Sequence, residues 1–364
     1  MAKTKKSSRS RKAAGDATDA KLTPAPSPYN DILELQRTRV VCGPDGNMYT
    51  SSNIGVGNDS GSIEDFAKDF AANLKLKVRK YDDMVMEFEV EGISCSIANA
   101  LRRVMIAEVP TMAIEHVFVV NNTSIIQDEV LAHRLGMIPL RVDPRLFEFK
   151  KKADPKTHRN TAVMKMDVTC EGGEGKVFSD SLVWLSTGSE MPEETGLTGF
   201  EGDQREWIED GLSVVHDDIL VAKLRSKQCI KLECHCVKGV GEEHAKWSPV
   251  ATAWYKLYPE VVLLRKASKS EAEVLCGELP GLVYEEDGVL RVDDAIEHPK
   301  LLEKVRRMSG EDEYKDLIQL RKRKDKFVFT IESTGAYKPH EIWKEAVDRL
   351  QSKCDKVLEG LAQG

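Results

Sequence analysis

The residues best suited to chemistry in this chain are Cys229, Cys234, His235 and Cys236, a short run of metal-ligand types. Thiolates and an imidazole in tetrahedral array would hold zinc or an iron–sulfur cluster. On a strand, however, Cys234 and Cys236 point to one face and His235 to the other, and no second close cysteine pair completes the set. Buried, reduced thiols are expected instead. The eight cysteines, at 42, 95, 170, 229, 234, 236, 276 and 354, also lack the dense framework of a small disulfide-rich secreted protein. Gly172-Gly173-Glu174-Gly175-Lys176 invites a phosphate, but a P-loop needs Gly six residues before the Lys and Ser or Thr after it. Those positions hold Cys170 and Val177, so the segment reads as a turn. Asp82-Asp83, Asp217-Asp218 and Asp293-Asp294 have carboxylates for Mg²⁺ but no supporting Lys, Arg or Gly-rich scaffold, and read as solvated turns. His116, His133 and His244 have no partners arranged as a triad. No catalytic residue, metal or cofactor is expected.

The remaining chemistry is recognition. Asn99-Ala100-Leu101-Arg102-Arg103 is followed at fixed distance by Asn122-Thr123-Ser124 and then by Asp128 through Leu140. A guanidinium holds carboxylates or carbonyls in bidentate fashion, whereas an isolated Arg pair on a helix is usually a solvated face. Ser94 or Ser96 can cap a helix whose apolar residues Ile97, Leu101, Val104 and Met105 share one side, leaving Asn99, Arg102 and Arg103 on the other. Pro110 ends it. Thr111 to Val120 reads as a strand, and a second helix starts at Asp128, where a helix N-terminus favours negative charge. Val130, Leu131 and Leu135 form its apolar side and Gly136 its stop.

Other elements must support this unit. Leu74, Leu76 and Val78, then Met84, Met86, Phe88 and Val90, alternate with charged residues as a hairpin turning at Asp82-Asp83. Its apolar face needs a cover, and its other face sets basic residues against acidic ones. Near the C-terminus Phe327, Phe329 and Ile331 alternate as a strand before a helix led in by Pro339. That helix carries Ile342, Ala346, Leu350, Cys354, Val357, Leu358 and Leu361 in one stripe, widened by Trp343 and Val347. Such a stripe either folds back on its own domain or also meets a partner helix.

The 364 residues, 41% of them hydrophobic, suffice for two domains with real cores. A net charge of −7 argues against a broad electrostatic grip on nucleic acid and favours protein partners. No apolar run approaches the ~18 residues of a membrane span and the N-terminus lacks the apolar core of a secretion signal, so a cytosolic or nuclear protein is expected. Residues 1–28 are expected to be a disordered basic tail, serving as an import signal, a weak phosphate-binding tail or a solubilising segment, and 29–72 an arm and loop, with Gly55 to Gly61 in the loop.

The run from Asn99 to Leu135 resembles the signature of the α-like subunits of multisubunit RNA polymerases, the eukaryotic and archaeal counterparts of bacterial α. Val40-Val41-Cys42-Gly43-Pro44 and His244 through Thr252 make the chain similar to the kind shared by RNA polymerases I and III. The likeness runs from about Tyr29 to the C-terminus. It implies an α+β fold: a dimerisation domain of antiparallel strands and two long helices, from 73–110 and 325–364, interrupted by a large, mainly β insertion and connector over 111–324. Strand-like runs there are Val163 to Cys170, Ser181 to Leu185, Ile230 to Val237 and Tyr255 to Leu264, with loops from Thr187 to Asp203 and a charged, helix-prone stretch from Asp293 to Arg323.

The resemblance further implies a non-catalytic assembly subunit, since catalysis in that family resides in the two largest subunits. Its partners would be the smaller α-like subunit of RNA polymerases I and III, the second-largest subunits and small zinc-binding common subunits, with little nucleic-acid contact and none with membrane. Its place would be the nucleus, including the nucleolus. The implied interface comprises Asn99, Leu101, Arg102 and Arg103, with Ile342, Ala346, Leu350, Val357 and Leu361 on the C-terminal helix. Asp128, Glu129 and Arg134 would either join the two signature helices by ion pairs or face a large subunit. Relatives from RNA polymerase II carry a metal-binding cysteine cluster soon after the Ile-Pro-Leu segment, and Arg141 to Arg159 has no cysteine. Other readings are the corresponding polymerase II subunit or a free-standing metal-binding or nucleic-acid-binding protein.

Overall fold

A computed structural model of the chain describes residues 28–50, 63–151, 153–191 and 199–363. The basic tail up to residue 27, the loop from Gly55 to Gly61 and part of the loop after Thr187 lie outside the described residues. In chain order, α1 (Pro28–Thr38) leads into β1 (Arg39–Cys42) and β2 (Asn47–Met48). Then α2 (Ile63–Asn73) leads into a hairpin of β3 (Lys75–Tyr81) and β4 (Val85–Glu91), closed by Asp82 N–H donating to the Val85 carbonyl at 2.8 Å.

These strands join β13 (Val250–Leu263) and β16 (Ile318–Ser333) in one antiparallel sheet. The long β16 is its spine: β13 pairs along one edge, while β1 and then β4 pair along the other. Alternation puts Phe88, Phe327, Phe329 and Ile331 on one face, all buried beneath α3 (Cys95–Ala107) and α7 (Pro339–Gln363). Phe88 stacks on Phe329 at 5.5 Å between ring centroids and Trp343 meets Phe88 edge-on at 4.8 Å. The cover stops short of β3. Leu76 and Val78, opposite Val90 and Phe88 in register, stay half exposed because β3 is the sheet's edge strand.

The second sheet, in the order β5-β12-β7-β9, comprises β5 (Pro110–Asn122), β7 (Thr161–Thr169), β9 (Val183–Leu185) and β12 (Cys229–Val240). Two small pairs flank it: β6 (Leu140–Arg141) with β10 (Ser213–Val214), and β8 (Glu174–Phe178) with β11 (Leu220–Arg225). Met112, Ile114, Met164, Met166 and Leu232 build its core with Leu131 and Leu135 of α4 (Asp128–Gly136). Gly172-Gly173 is the β7–β8 turn, with Gly173 at φ +71°, as expected.

Two expectations need correction. The strand anticipated at Tyr255 to Leu264 within the insertion belongs to the large sheet, as β13; alternation reveals a strand but not the sheet it joins. The charged stretch from Asp293 to Arg323 is helical only over α6 (Pro299–Met308) and becomes β16 at Ile318. Between β13 and β16, α5 (Lys269–Glu278), β14 (Val283–Glu286), β15 (Val289–Val292) and α6 enclose a third core of Leu275, Leu279, Leu282, Val305 and Leu317, which also takes Cys42. The second unit is held close to the first. A Cβ on Gly241 would lie 2.3 Å from the Ile106 carbonyl oxygen, so only glycine permits that approach.

Candidate functional site

Helix α3 starts where Ser94 Oγ accepts the Ile97 N–H at 3.4 Å. Ala98, Val104 and Met105 turn into the first core, and Leu101 is also buried. On the opposite side Asn99 Oδ1 accepts from Arg102 Nε at 3.2 Å and Nη2 at 2.9 Å, which fixes that guanidinium. Arg103 is exposed and makes no hydrogen bond or ion pair among the described residues. A pre-oriented guanidinium beside a free one suits acceptors on another molecule.

Helix α7 lies along α3, and Lys353 pairs with Glu108 at the α3 C-terminus. Ile342 and Ala346 are 0% exposed and Leu350 is half-buried. Beyond Lys353 the helix leaves its own domain. Val357, Leu358 and Leu361 are 63%, 64% and 74% exposed, over a final segment about 15 Å long at 1.5 Å per residue. The stripe therefore divides: Leu101, Ile342 and Ala346 belong to the chain's own core, while Val357 and Leu361 offer apolar surface.

Asp128 and Glu129 open α4, exposed at its positive N-terminus. Asn122 Nδ2 donates to Asp128 Oδ1 at 2.7 Å and to the Ile126 carbonyl at 2.9 Å. Asn122 Oδ1 accepts from Ser124 N–H at 3.0 Å, so Asn122 anchors the turn before the helix. Arg134 Nε donates to the Val221 carbonyl at 3.1 Å and Nη2 to that of Leu220, binding α4 to β11. Of the two alternatives for Asp128, Glu129 and Arg134, ion pairs between the signature helices are absent among the described residues. The helices belong to separate cores, joined by the thirteen-residue β5. Val130, expected on the apolar side, is half exposed, because α4 buries only Leu131, Leu135 and Gly136.

The cysteine run behaves as its alternation implies. Cys234 and Cys236 enter the second core, where burial pushes the Cys236 thiol up to about 12. On the opposite face Glu233 and His235 are also buried, with His235 Nε2 2.9 Å from Glu233 Oε1 and Lys156 Nζ 3.0 Å from His235 Nδ1. Burial depresses the His235 pKa, which favours the neutral ring. Among the described residues no group of three or more His, Cys, Asp or Glu side chains is placed to share a metal ion, and no helix is long and apolar enough to cross a membrane.

Asp294 is not the solvated turn residue expected. Its carboxylate accepts from Arg79 Nη1 at 2.9 Å and from Tyr258 Oη at 2.6 Å. Arg79 also pairs with Glu89 and Glu297, and Glu89 accepts from Lys326 at 2.8 Å, whose ammonium lies 3.7 Å from the Tyr258 ring centroid. This network secures the third unit to the sheet face opposite α3 and α7. Its members stand far apart in sequence, and only the alternation of Arg79 and Glu89 with apolar residues signals it.

The RNA polymerase Rpb3/Rpb11 dimerisation domain family matches residues 87–354. A human protein named DNA-directed RNA polymerases I and III subunit RPAC1 is 36% identical over 354 residues, covering 91% of this chain and 97% of the human one. Its Saccharomyces cerevisiae namesake is 35% identical over 311 residues, 81% of this chain and 88% of its own. DNA-directed RNA polymerase II subunit rpb3 of Dictyostelium discoideum is less similar, 31% identical over 289 residues, 76% of this chain and 91% of its own. The matched domain contains α3, α4 and the part of α7 up to Cys354, which carry Arg102 and Arg103, the acidic helix start and the core-facing half of the C-terminal helix, while Val357 to Leu361 lie beyond the match. The chain belongs to the α-like, non-catalytic subunits of DNA-directed RNA polymerases.

Proposed function

We propose that the chain is an assembly scaffold of RNA polymerases I and III, in which it pairs with the smaller α-like subunit and docks the second-largest subunit. The carrying observation is the division of α7: a proximal half in the chain's own core and a distal half, past the Lys353–Glu108 pair at the end of α3, whose apolar residues face solvent. A solvent-exposed apolar helix end continuous with a folded domain favours a partner helix. Segments 73–110 and 325–364, completed by β13, form the dimerisation unit in this reading. Asn99, Arg102 and Arg103 meet acceptors on the second-largest subunit, and Asp128 and Glu129 face another subunit. Small zinc-binding common subunits complete the set. The complex would work in the nucleus, including the nucleolus, on ribosomal, 5S and transfer RNA genes, with little nucleic-acid contact from this chain.

Co-expression with candidate small α-like partners, followed by native mass measurement, tests the pairing. Stable binding to the polymerase I/III partner is expected. Binding only to the polymerase II partner would replace this assignment with the polymerase II one. Arg102→Ala with Arg103→Ala should weaken capture of the second-largest subunit and leave the heterodimer intact, whereas unchanged capture removes the role given to that pair.

A further inference from the structure

Ile125 is 89% exposed, more than any other large apolar side chain among the described residues, yet it does not sit on a loose loop. Both flanks are pinned. Before it, Thr123 N–H donates to the Cys229 carbonyl at 3.0 Å and Cys229 N–H donates to Thr123 Oγ1 at 2.8 Å, fastening the turn to β12. After it, Ile126 N–H donates to Ser124 Oγ at 3.2 Å, while Asn122 holds Ile126 and Asp128 as described. The turn thus presents one aliphatic side chain in a fixed position, with its ordering cost already met by folding. Two half-exposed apolar residues, Val120 near the end of β5 and Val130 in the first turn of α4, flank it in sequence.

The unpaired charge of this segment is acidic, and Lys231, opposite Asn121 on β12, is taken up by Asp167. From Val117 to Val130 the only charged side chains are Asp128 and Glu129, both exposed and neither ion-paired among the described residues. An acidic rim repels phosphate, which disfavours nucleic acid as the occupant. It complements a protein surface with Lys or Arg around an apolar recess.

We infer that Ile125 is the central anchor of a second docking surface, which inserts into an apolar, basic-rimmed socket on another polymerase subunit, with Asp128 and Glu129 as its electrostatic rim. The surface is distinct from the distal half of α7 and rests on the reading of the chain as a polymerase scaffold. An apolar anchor at the centre of a patch with a polar rim follows the general layout of protein interfaces.

The test uses the full chain, tagged and assembled with the smaller α-like subunit, the second-largest subunit and the small common subunits. Retention of each is measured in rising salt for Ile125→Asp, Ile125→Ser and the double change Asp128→Lys with Glu129→Lys. Thermal melting of the two free Ile125 variants should match the parent closely, since that side chain is exposed, whereas the charge reversal removes the Asn122–Asp128 bond at the positive start of α4 and should melt somewhat lower. Both Ile125 variants are expected to keep the smaller α-like subunit and lose affinity for one other subunit by tenfold or more. The double charge reversal should weaken the same subunit, most at low salt. Retention of every subunit at parental affinity by Ile125→Ser overturns the proposal. So does loss of the smaller α-like subunit, which would place Ile125 in the dimer contact. Failure of the heterodimer in the unaltered chain would instead overturn the scaffold reading itself.

Discussion

Replacing Val357, Leu358 and Leu361 together by Ser should separate partner binding from folding on a single helix. Burying a Val or Leu side chain completely is worth about 1.5–3 kcal/mol. With 63%, 64% and 74% of these three side chains exposed in the free chain, roughly two thirds of that value remains to be gained from a partner, about 1–2 kcal/mol each. Ordering each of these short side chains at an interface costs about 0.5 kcal/mol, the low end for immobilised side chains, so a net loss of roughly 2–4 kcal/mol is expected for the triple variant. This corresponds to a Kd for the smaller α-like subunit raised by about 30-fold to 1,000-fold. The free chain should melt within a degree or two of the parent, because no core residue is altered. Ile342→Ala on the same helix is the control. Its side chain is 0% exposed, so the change should cost about 2–5 kcal/mol of folding free energy and lower the melting temperature markedly. Calorimetric unfolding of the free chains and titration against the partner give both quantities. A triple variant that melts as low as Ile342→Ala, or binds within threefold of the parent, would refute the division of α7 into structural and partner-facing halves.

Glu89→Gln should destabilise the chain by about 2–4 kcal/mol in urea unfolding, because Arg79 and Lys326 lose a shared, buried partner; a change under 1 kcal/mol would show the network to be dispensable. Burial alone would raise the Glu89 and Asp294 carboxyls, but hydrogen bonds from Lys326 and Arg79 to Glu89, and from Tyr258 and Arg79 to Asp294, outweigh it and hold both below the ordinary range. Their stabilisation is therefore complete above the unfolded values near pH 4 and is lost as pH falls through the folded ones, so melting temperature should drop on acidification below about pH 4. Glu89→Gln should flatten that drop, and an unchanged acid limb would sink the assignment. Gly241→Ala, whose Cβ would lie 2.3 Å from the Ile106 carbonyl oxygen, should cost about 1–3 kcal/mol by forcing the second unit away from α3; an unshifted melting curve would contradict that contact.

The local elements were legible because their periodicity is strong. Ile97 to Met105, Phe88 with its neighbours, Phe327 to Ile331 and the α7 stripe each announce a type and a buried face, and the Cys234/Cys236 alternation separates two thiols from His235 correctly. Distant pairing was not legible. Nothing in Ala253, Tyr255 and Leu257 says that they face α3 and α7 rather than the second sheet, because a strand's alternation is the same in either. The core between β13 and β16 was missed because Lys, Arg, Asp and Glu dominate its sequence while its few buried residues are widely spaced. Leu101, Ile342 and Ala346, read from the stripe as interface residues, are buried within the chain itself. A continuous helical stripe does not reveal where the domain beneath it ends, and here that end is set by Glu108 meeting Lys353.

The separation of the signature helices into two cores bears on how a scaffold would work. Two helices in one core would offer one contiguous patch. Here β5 leaves α3 and carries the chain, over thirteen residues at about 3.4 Å each or roughly 44 Å, to the Ile125 turn, from which α4 runs back along the strand until Gly136 lies beside the Ile114 carbonyl. For that separation to be useful the two units must not swing. Gly241 against Ile106, and Arg145 of the second unit against Glu341 at the start of α7, tie them on two sides of the strand. The Arg102/Arg103 face and the Ile125 turn are then held at a set distance and angle. A platform of this kind selects partners by whether both surfaces are met at once, since linked contacts bind cooperatively only when the geometry allows simultaneous engagement. In the proposed scaffold the run from Asn99 to Leu135 would carry the spacing between two contact surfaces as well as the surfaces themselves.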